Sequence, residues 1–260
     1  MVTIEHSDWT DAPKPLHTDH LICAVGDVHG RADLLDPLLE TLADDARVPG
    51  VSHVTCVFLG DLIDRGDQSL EVLGLAAGGL GAYLGDRLPV DDVLLLGNHD
   101  AWLKAAFEDA LTPEMIELWA ANGGQPTWQS LRIPPMTPPS KLAAALRRSV
   151  PDFVQEAVRG MQGYRQIGDY VFVHAGLDPR RPFDDQPLEI ITWIRHPFLH
   201  PAEPWPFDTV VIHGHSPEDP LEEPTVERHR INLDTGAVFT GVLTAIEMRN
   251  DRYRFVQAKG

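Results

Sequence analysis

The sequence predicts an α/β fold: a mainly parallel sheet covered on both faces, a helical insertion, and an antiparallel finish. Three observations predict it. Short apolar runs alternate with segments of helical spacing from residue 21 to residue 100. Five apolar runs end in a polar cluster rich in Asp and His. Three β-type runs close the chain with no helical pattern between them.

The first strand is LICAVGD (21–27), followed by RADLLDPLLETLADDAR (31–47), where Leu34, Leu35, Leu38, Leu39 and Leu42 recur at helical spacing. HVTCVFLGD (53–61) is the second strand, SLEVLGLAAGGLGAYLGDR (69–87) a helix weakened by its glycines, and DDVLLLGNHD (91–100) the third strand. Near-continuous apolar strands of this kind are buried on both faces, as in parallel sheets. From Ala101 to about Gln166 the pattern is helical, interrupted by IPPMTPPS (133–140), and reads as a cap inserted at about 101–166. The β-type runs resume at DYVFVHAGL (169–177) and DTVVIHGH (208–215). RINLDTG (230–236), VFTGVLTAIEM (238–248) and RYRFVQA (252–258) follow. Residues 1–20 are polar, contain Pro13 and Pro15, and read as a loose lead-in to a single domain spanning 21–260.

A net charge of -18 over 260 residues argues against a general affinity for nucleic acid or an anionic membrane surface. The two cysteines, Cys23 and Cys56, lie in apolar strands and are expected as buried free thiols, which fits a reducing cytoplasm. The N-terminal residues lack the pattern of a secretory signal, and no apolar run approaches the ~18 residues of a membrane span. A cytoplasmic location is expected.

The five clusters are GDVHG (26–30), GDLIDRG (60–66), GNHD (97–100), HAG (174–176) and HGH (213–215). In an open α/β sheet, ligands bind beyond the carboxyl ends of the strands, so residues distant in sequence converge at one edge. Asp27, His29, Asp61, Asn98, His174 and His215 together offer carboxylate, amide and imidazole donors. That mixture suits a pair of borderline divalent metals such as Mn, Fe or Zn better than Ca. Each cluster alone is weak, because an Asp after a strand commonly caps a helix. All five, in order and each directly behind an apolar strand, point to a site.

The five motifs resemble the signature set of the phosphoprotein phosphatase (PPP) family of calcineurin-like metallophosphoesterases, over residues 21 to about 248. The resemblance implies a four-layer α/β/β/α sandwich of two mixed sheets, a dinuclear metal site with Mn as first choice, and hydrolysis of phosphate esters. Carried over by position, Asp27 and His29 hold the first metal, Asp61 bridges both, and Asn98, His174 and His215 complete the second. In the family pattern the last ligand follows a small residue, which selects His215 over His213. Two cations about 3.5–4 Å apart activate a shared water, and the resulting hydroxide attacks phosphorus directly. His99 is then the acid that protonates the leaving alkoxide, Asp64 its orienting partner, and Arg65 the planar fork that grips phosphate oxygens. ITWIRHPFL (191–199) is similar to a W-x-R-x-x-F stretch of bacterial members, making Arg195 a second phosphate-binding arginine.

Other residues receive plainer expectations. Asp67 is expected to cap the following helix. Trp102, Trp119 and Trp128 are expected in the core of the cap. Asn122, Gly123 and Gly124 resemble a bacterial pattern, although the glycines could equally end a helix. LDTG (233–236) stands alone, whereas aspartic proteases need two such carboxylates. DTGAVFTG resembles the final hairpin of bacterial and phage protein phosphatases, with Asp234 fixing a turn. The leading functional expectation is a protein serine/threonine phosphatase acting on phosphorylated protein or peptide. The competitor within the family is a symmetrical diadenosine tetraphosphate hydrolase. A non-catalytic, metal-stabilised binding module is opposed by the complete set of ligands and acid.

Overall fold

Side-chain alternation along the strands divides the apolar residues among three stacked cores, and three cores require four layers. The computed structural model describes residues 1–16, 20–201 and 204–260. Its strands are β1 (Thr3–His6), β2 (Thr10–Asp11), β3 (His20–Val25), β4 (His53–Phe58), β5 (Val90–Leu94) and β6 (Tyr164–Ile167). They continue as β7 (Tyr170–Val173), β8 (Val210–His213), β9 (Thr225–Val226), β10 (Arg230–Asn232), β11 (Val242–Arg249) and β12 (Arg252–Lys259). The helices are α1 (Ala32–Ala46), α2 (Ser69–Gly78), α3 (Gly81–Leu84), α4 (Asn98–Phe107) and α5 (Pro113–Ala121). After them come α6 (Gln125–Ser130), α7 (Pro139–Ser149), α8 (Asp152–Arg159), α9 (Leu188–Ile191) and α10 (Ala237–Thr240).

The first sheet runs β1-β12-β11-β3-β4-β5, with β2 also on β12. Its β3, β4 and β5 are parallel, while β11, β12 and the N-terminal strands pair antiparallel. The second sheet runs β6-β7-β8-β10-β9, parallel across β7, β8 and β10 and antiparallel at both edges. On β3, Leu21, Cys23 and Val25 pack under the helices, whereas Ile22 and Ala24 face the second sheet. On β7, Tyr170 and Phe172 fill the space between the sheets, and Val171 and Val173 pack outward against Ile191, Ile194 and Phe198. The period-two side-chain direction of a strand produces this partition. Helix α1 buries the five leucines singled out by their spacing. Cys23 and Cys56 are free, buried neighbours on β3 and β4, and burial pushes both thiols up. Among the described residues, no helix is long and apolar enough to cross a membrane.

Several expectations need correction. The lead-in of 1–20 is not loose throughout: β1 pairs with β12 from Thr3 opposite Lys259 to His6 opposite Val256, and β2 pairs with it as well. Main-chain hydrogen bonds at a sheet edge hold these residues, while Val2 and Ile4 pack against the core, an apolar alternation too short to stand out in the sequence. Residues 17–19 lie outside the described residues. The single helix expected over 69–87 ends at Gly78, because Gly79 turns the chain at a φ of 60, and the Asp92 carboxylate then accepts the N–H groups of Leu80 and Gly81. The strand expected to begin at 238 begins at Val242, after the short turn of α10. Asp67 is exposed, and the position before α2 is Gln68, so Asp67 does not cap that helix. Helices α4 to α8 occupy the chain between β5 and β6.

One buried acid gives stability a pH dependence. Glu247 on β11 accepts from Arg254 Nε at 2.6 Å, and burial, reinforced by Asp45, carries its pKa from 4.5 up to about 7. Below pH 4.5 both folded and unfolded chains hold this proton; between there and about 7 only the unfolded chain releases it. Stability is therefore lost as pH rises through that window. Glu247→Gln, which keeps the shape, is expected to raise Tm at pH 8 by about 3 °C or more and to have little effect at pH 4, checked by calorimetry.

Candidate metal centre and active site

The two sheets present their parallel strand ends at one edge, and every predicted ligand sits there. Asp27 and His29 follow β3, Asp61 follows β4, and Asn98 and His99 open α4 just beyond β5. His174 directly follows β7, and His215 lies two residues past β8. All seven are buried. Of the eight non-glycine residues with positive φ among the described residues, five are His29, Asp61, Asp64, Arg65 and His215. Backbone strain at such positions persists only where surrounding contacts enforce it, and it gathers at functional sites.

Asp61 is the hub. Its Oδ1 accepts the N–H of His99 at 3.0 Å, the free donor of a helix N-terminus. His29 Nε2 lies 3.5 Å from Oδ2, and His174 Nε2 lies 3.4 Å from Oδ1. Burial opposes its charge, but His174, His99 and His29 hold its pKa well below the ordinary value. His174 donates from Nδ1 to Leu59 O at 3.0 Å and from Nε2 to Asn98 Oδ1 at 3.0 Å, as an imidazole protonated on both nitrogens does. His29 is fixed likewise by donation from Nδ1 to Ile63 O at 2.7 Å. Both oxygens of Asp27 accept from His215 N at 3.1 Å, and a Cβ on Gly214 would fall 2.0 Å from Asp27 Oδ1. Only glycine fits between them, which explains the small residue ahead of His215.

His99 donates from Nδ1 to Asp64 Oδ2 at 2.7 Å. Arg65 reaches across the mouth of the site, donating from Nη2 to His99 Nε2 at 2.9 Å and from Nη1 to His29 Nε2 at 2.5 Å. Because arginine can only donate, both Nε2 atoms are acceptors here. Asp64 is entirely buried and also accepts from Trp119 Nε1 at 2.8 Å and from Thr127 Oγ1 at 2.6 Å. The expectation of a plain core tryptophan therefore captures Trp119 only in part: its ring packs on Trp102 while its N–H serves Asp64. Trp102 is buried and Trp128 half-buried.

These donors fit divalent cations. Two groups of three, His29, Asp61 and His99, and Asp61, His174 and His215, each bring candidate ligand atoms within 4.8 Å of one another and share Asp61. Asp27 stands outside both groups, turned toward the His215 amide. His215 Nε2 is buried with no hydrogen-bond partner, an orphaned lone pair that a cation would satisfy. Burial and His174 keep His215 neutral down to about 2, and burial does the same for His29 down to about 3. Neutral imidazole is the form that ligates metals. The carboxylates meanwhile recruit positive charge: burial opposes it, yet Asp61 and Asp27 carry His174 up to about 9.

The remaining predicted residues are placed as follows. Arg195 is exposed at the rim, 3.5 Å from His215 O through Nη2. His213 belongs to neither group; it donates from Nδ1 to Gly214 O at 2.9 Å and lies 3.4 Å from the fully buried Arg230. Asp234 accepts from Gly236 N at 3.0 Å in a tight turn, and burial carries its pKa up to about 6. Sequence reasoning assigned no task to Asp100, whose carboxylate accepts from Leu62 N and Gly97 N and so ties the loop after Asp61 to the start of α4. Its place in GNHD was the available signal. Nothing in the sequence marked Trp119 or Thr127 as partners of Asp64, 55 and 63 residues away.

The sequence profile of the calcineurin-like phosphoesterases matches residues 20–241. The chain belongs to that family. It is 27% identical over 235 residues to the bis(5'-nucleosyl)-tetraphosphatase PrpE (asymmetrical) of Halalkalibacterium halodurans, covering 85% of this chain and 87% of that one. To a symmetrical bis(5'-nucleosyl)-tetraphosphatase of Paracidovorax citrulli it is 40% identical over 89 residues, 34% of this chain and 27% of the other. Among solved structures, a proposed diadenosine tetraphosphatase superposes with a TM-score of 0.58 at 22% identity, over 91% of this chain and 93% of that chain. At that identity the likeness is one of fold, and the four-layer sandwich of two mixed sheets is the fold of the family.

Metal binding is expected to stabilise the protein by about 2.7 kcal/mol at a hundredfold excess of ion over Kd. Adding Mn²⁺ to chelator-treated protein is therefore expected to raise Tm in a scanning calorimeter, and Asp61→Ala to abolish the rise.

Proposed function

We propose that this metallophosphoesterase is a protein serine/threonine phosphatase, cleaving phosphate monoesters by direct in-line attack of water. The observation that carries this reading is the buried His99–Asp64 pair, with Asp64 Oδ2 2.7 Å from His99 Nδ1. A serine or threonine alkoxide is a poor leaving group and needs an acid, whereas a nucleotide departs as a stable phosphate anion. Asp27, His29, Asp61, Asn98, His174 and His215 are the proposed holders of two divalent ions, with Asp61 between them and Mn²⁺ preferred over Fe or Zn. When bound, the ions supply positive charge at the phosphoryl oxygens and lower the pKa of water.

The protein groups supply the rest. Arg65 and Arg195 bind phosphate oxygens, adding local positive charge against a net charge of -18. When phosphate takes the Arg65 fork, His99 Nε2 is released, takes up a proton from water and passes it to the leaving oxygen. Asp64 keeps Nδ1 protonated, so the imidazole cannot turn over.

A second reading, hydrolysis of a dinucleoside tetraphosphate, is favoured by the names of the relatives, both asymmetrical and symmetrical. It is also favoured by two exposed rings beside the site. Trp193 is 39% exposed and 5.9 Å from the His215 ring, and Phe239 is 71% exposed with the Arg65 guanidinium 6.0 Å from its centroid. Such faces can stack nucleobases.

The two readings part on rates. With Mn²⁺ present, kcat/KM is expected to be higher for a phosphoserine peptide than for diadenosine tetraphosphate; the opposite order would establish the second reading. His99→Asn is expected to lower kcat by about 100-fold or more on alkyl phosphates but by about tenfold or less on p-nitrophenyl phosphate, whose phenolate leaves unaided. Equal losses on both would remove His99 from the acid role.

A further inference from the structure

We propose that the cap helices α5 and α6 position the catalytic acid, with Trp119 and Thr127 holding Asp64 so that His99 is aimed only while the cap is seated. This rests on the reading of His99 as the acid. Asp64 has no exposed surface, and its carboxylate is shared among three donors. His99 Nδ1 takes Oδ2, Thr127 Oγ1 takes Oδ1, and Trp119 Nε1 lies between the two oxygens at 2.9 and 2.8 Å. The Thr127 hydroxyl has one proton, and the 2.6 Å contact to Asp64 Oδ1 claims it. Its lone pairs then accept from Asp64 N at 2.9 Å and from Ser69 Oγ at 3.0 Å. Thr127 thus grips both the backbone and the side chain of Asp64, and Ser69 at the start of α2 fixes Thr127.

The loop between α5 and α6 completes the clamp. Gly123 O accepts the N–H of Arg65 at 3.0 Å, at a residue whose φ of 67 is strained. A Cβ on Gly124 would fall 2.4 Å from the Trp119 ring, so only glycine lets the indole reach Asp64. The Gly-Gly pair that sequence alone could read as a helix end therefore has a second use: it seats the cap on the two neighbouring residues that grip the acid and the phosphate. A shift of α5 or α6, whether from substrate docking or from a partner, reaches His99 through a single intervening side chain. Trp119 and Thr127 are fully buried and meet the site through Asp64, so they act as positioning residues.

The test uses the full-length protein and three variants, Thr127→Val, Thr127→Ser and Trp119→Phe. With Mn²⁺, Thr127→Val is expected to lower kcat on a phosphoserine peptide by about tenfold and on p-nitrophenyl phosphate by less than about threefold. Thr127→Ser, which keeps the hydroxyl, is expected to restore wild-type rates on both. A second readout is independent of turnover: in ¹⁵N-histidine spectra of Zn²⁺-loaded protein, the His99 Nδ1–H signal is expected in wild type and Thr127→Ser. It should exchange away with solvent in Thr127→Val and Trp119→Phe. A Thr127→Val protein with wild-type turnover of the peptide, or equal losses on both substrates without rescue by Thr127→Ser, overturns the proposal. If His99→Asn shows no difference between the substrates, the acid reading fails and the signal alone decides the clamp. Its persistence in Thr127→Val overturns positioning, and its loss there upholds it. Should Trp119→Phe fail to fold, the threonine pair decides.

Discussion

A carboxylate removed from water must be compensated, and at Asp61 that requirement organises the whole edge of the molecule. The compensation comes from a helix N–H at 3.0 Å and from the protonated His174, whose Nε2 lies 3.4 Å away, while the His29 Nε2 lone pair faces the other oxygen at 3.5 Å. These partners arrive from β3, from β7 and from the start of α4, so both sheets must end at the same place. The chain meets that demand with positive φ at His29, Asp61 and His215 and with glycine where Gly214 lies against Asp27. Strained backbone of this kind costs on the order of 1–3 kcal/mol per residue, and the three apolar cores must supply it.

Around this centre the polar groups divide into two kinds. Those facing the metal donors are neutral acceptors: the imidazoles of His29 and His215 resist protonation, and His215 Nε2 has no partner at all. Those facing Asp64 are donors, three of them for one buried carboxylate. A site short of positive charge thus adjoins a pair whose hydrogen bonds are complete. Arg65 spans the two, touching His29 on one side and His99 on the other. That position joins phosphate binding to the release of the acid.

The strands were legible because their apolar residues alternate between cores or fill both faces. Leu21, Cys23 and Val25 against Ile22 and Ala24 is a pattern that survives without coordinates. The motifs were legible because each follows such a strand. What escaped was held by main chain or by distance. The N-terminal strand β1 rests on backbone pairing with β12 and on Val2 and Ile4 against the core, an alternation too short to stand out. Asp67 has the composition of a cap but is exposed, and the helix starts after Gln68. The turn of α10 ahead of β11 interrupts a run that reads as continuous strand.

By itself, then, the sequence determined the α/β class, the order of the strands and the residue types gathered at their ends, because these follow from local periodicity and from the polarity that strand ends permit. Tertiary structure alone decided that Trp119 and Thr127 hold Asp64, that Asp27 turns toward the His215 amide, and that Asp100 ties two loops together. Each of these is a hydrogen bond between residues 38 or more positions apart, made only where burial leaves a polar group no water to bond. Such pairings carry no local signature, since any tryptophan or threonine of the cap would look the same until the fold chooses the one that reaches the carboxylate.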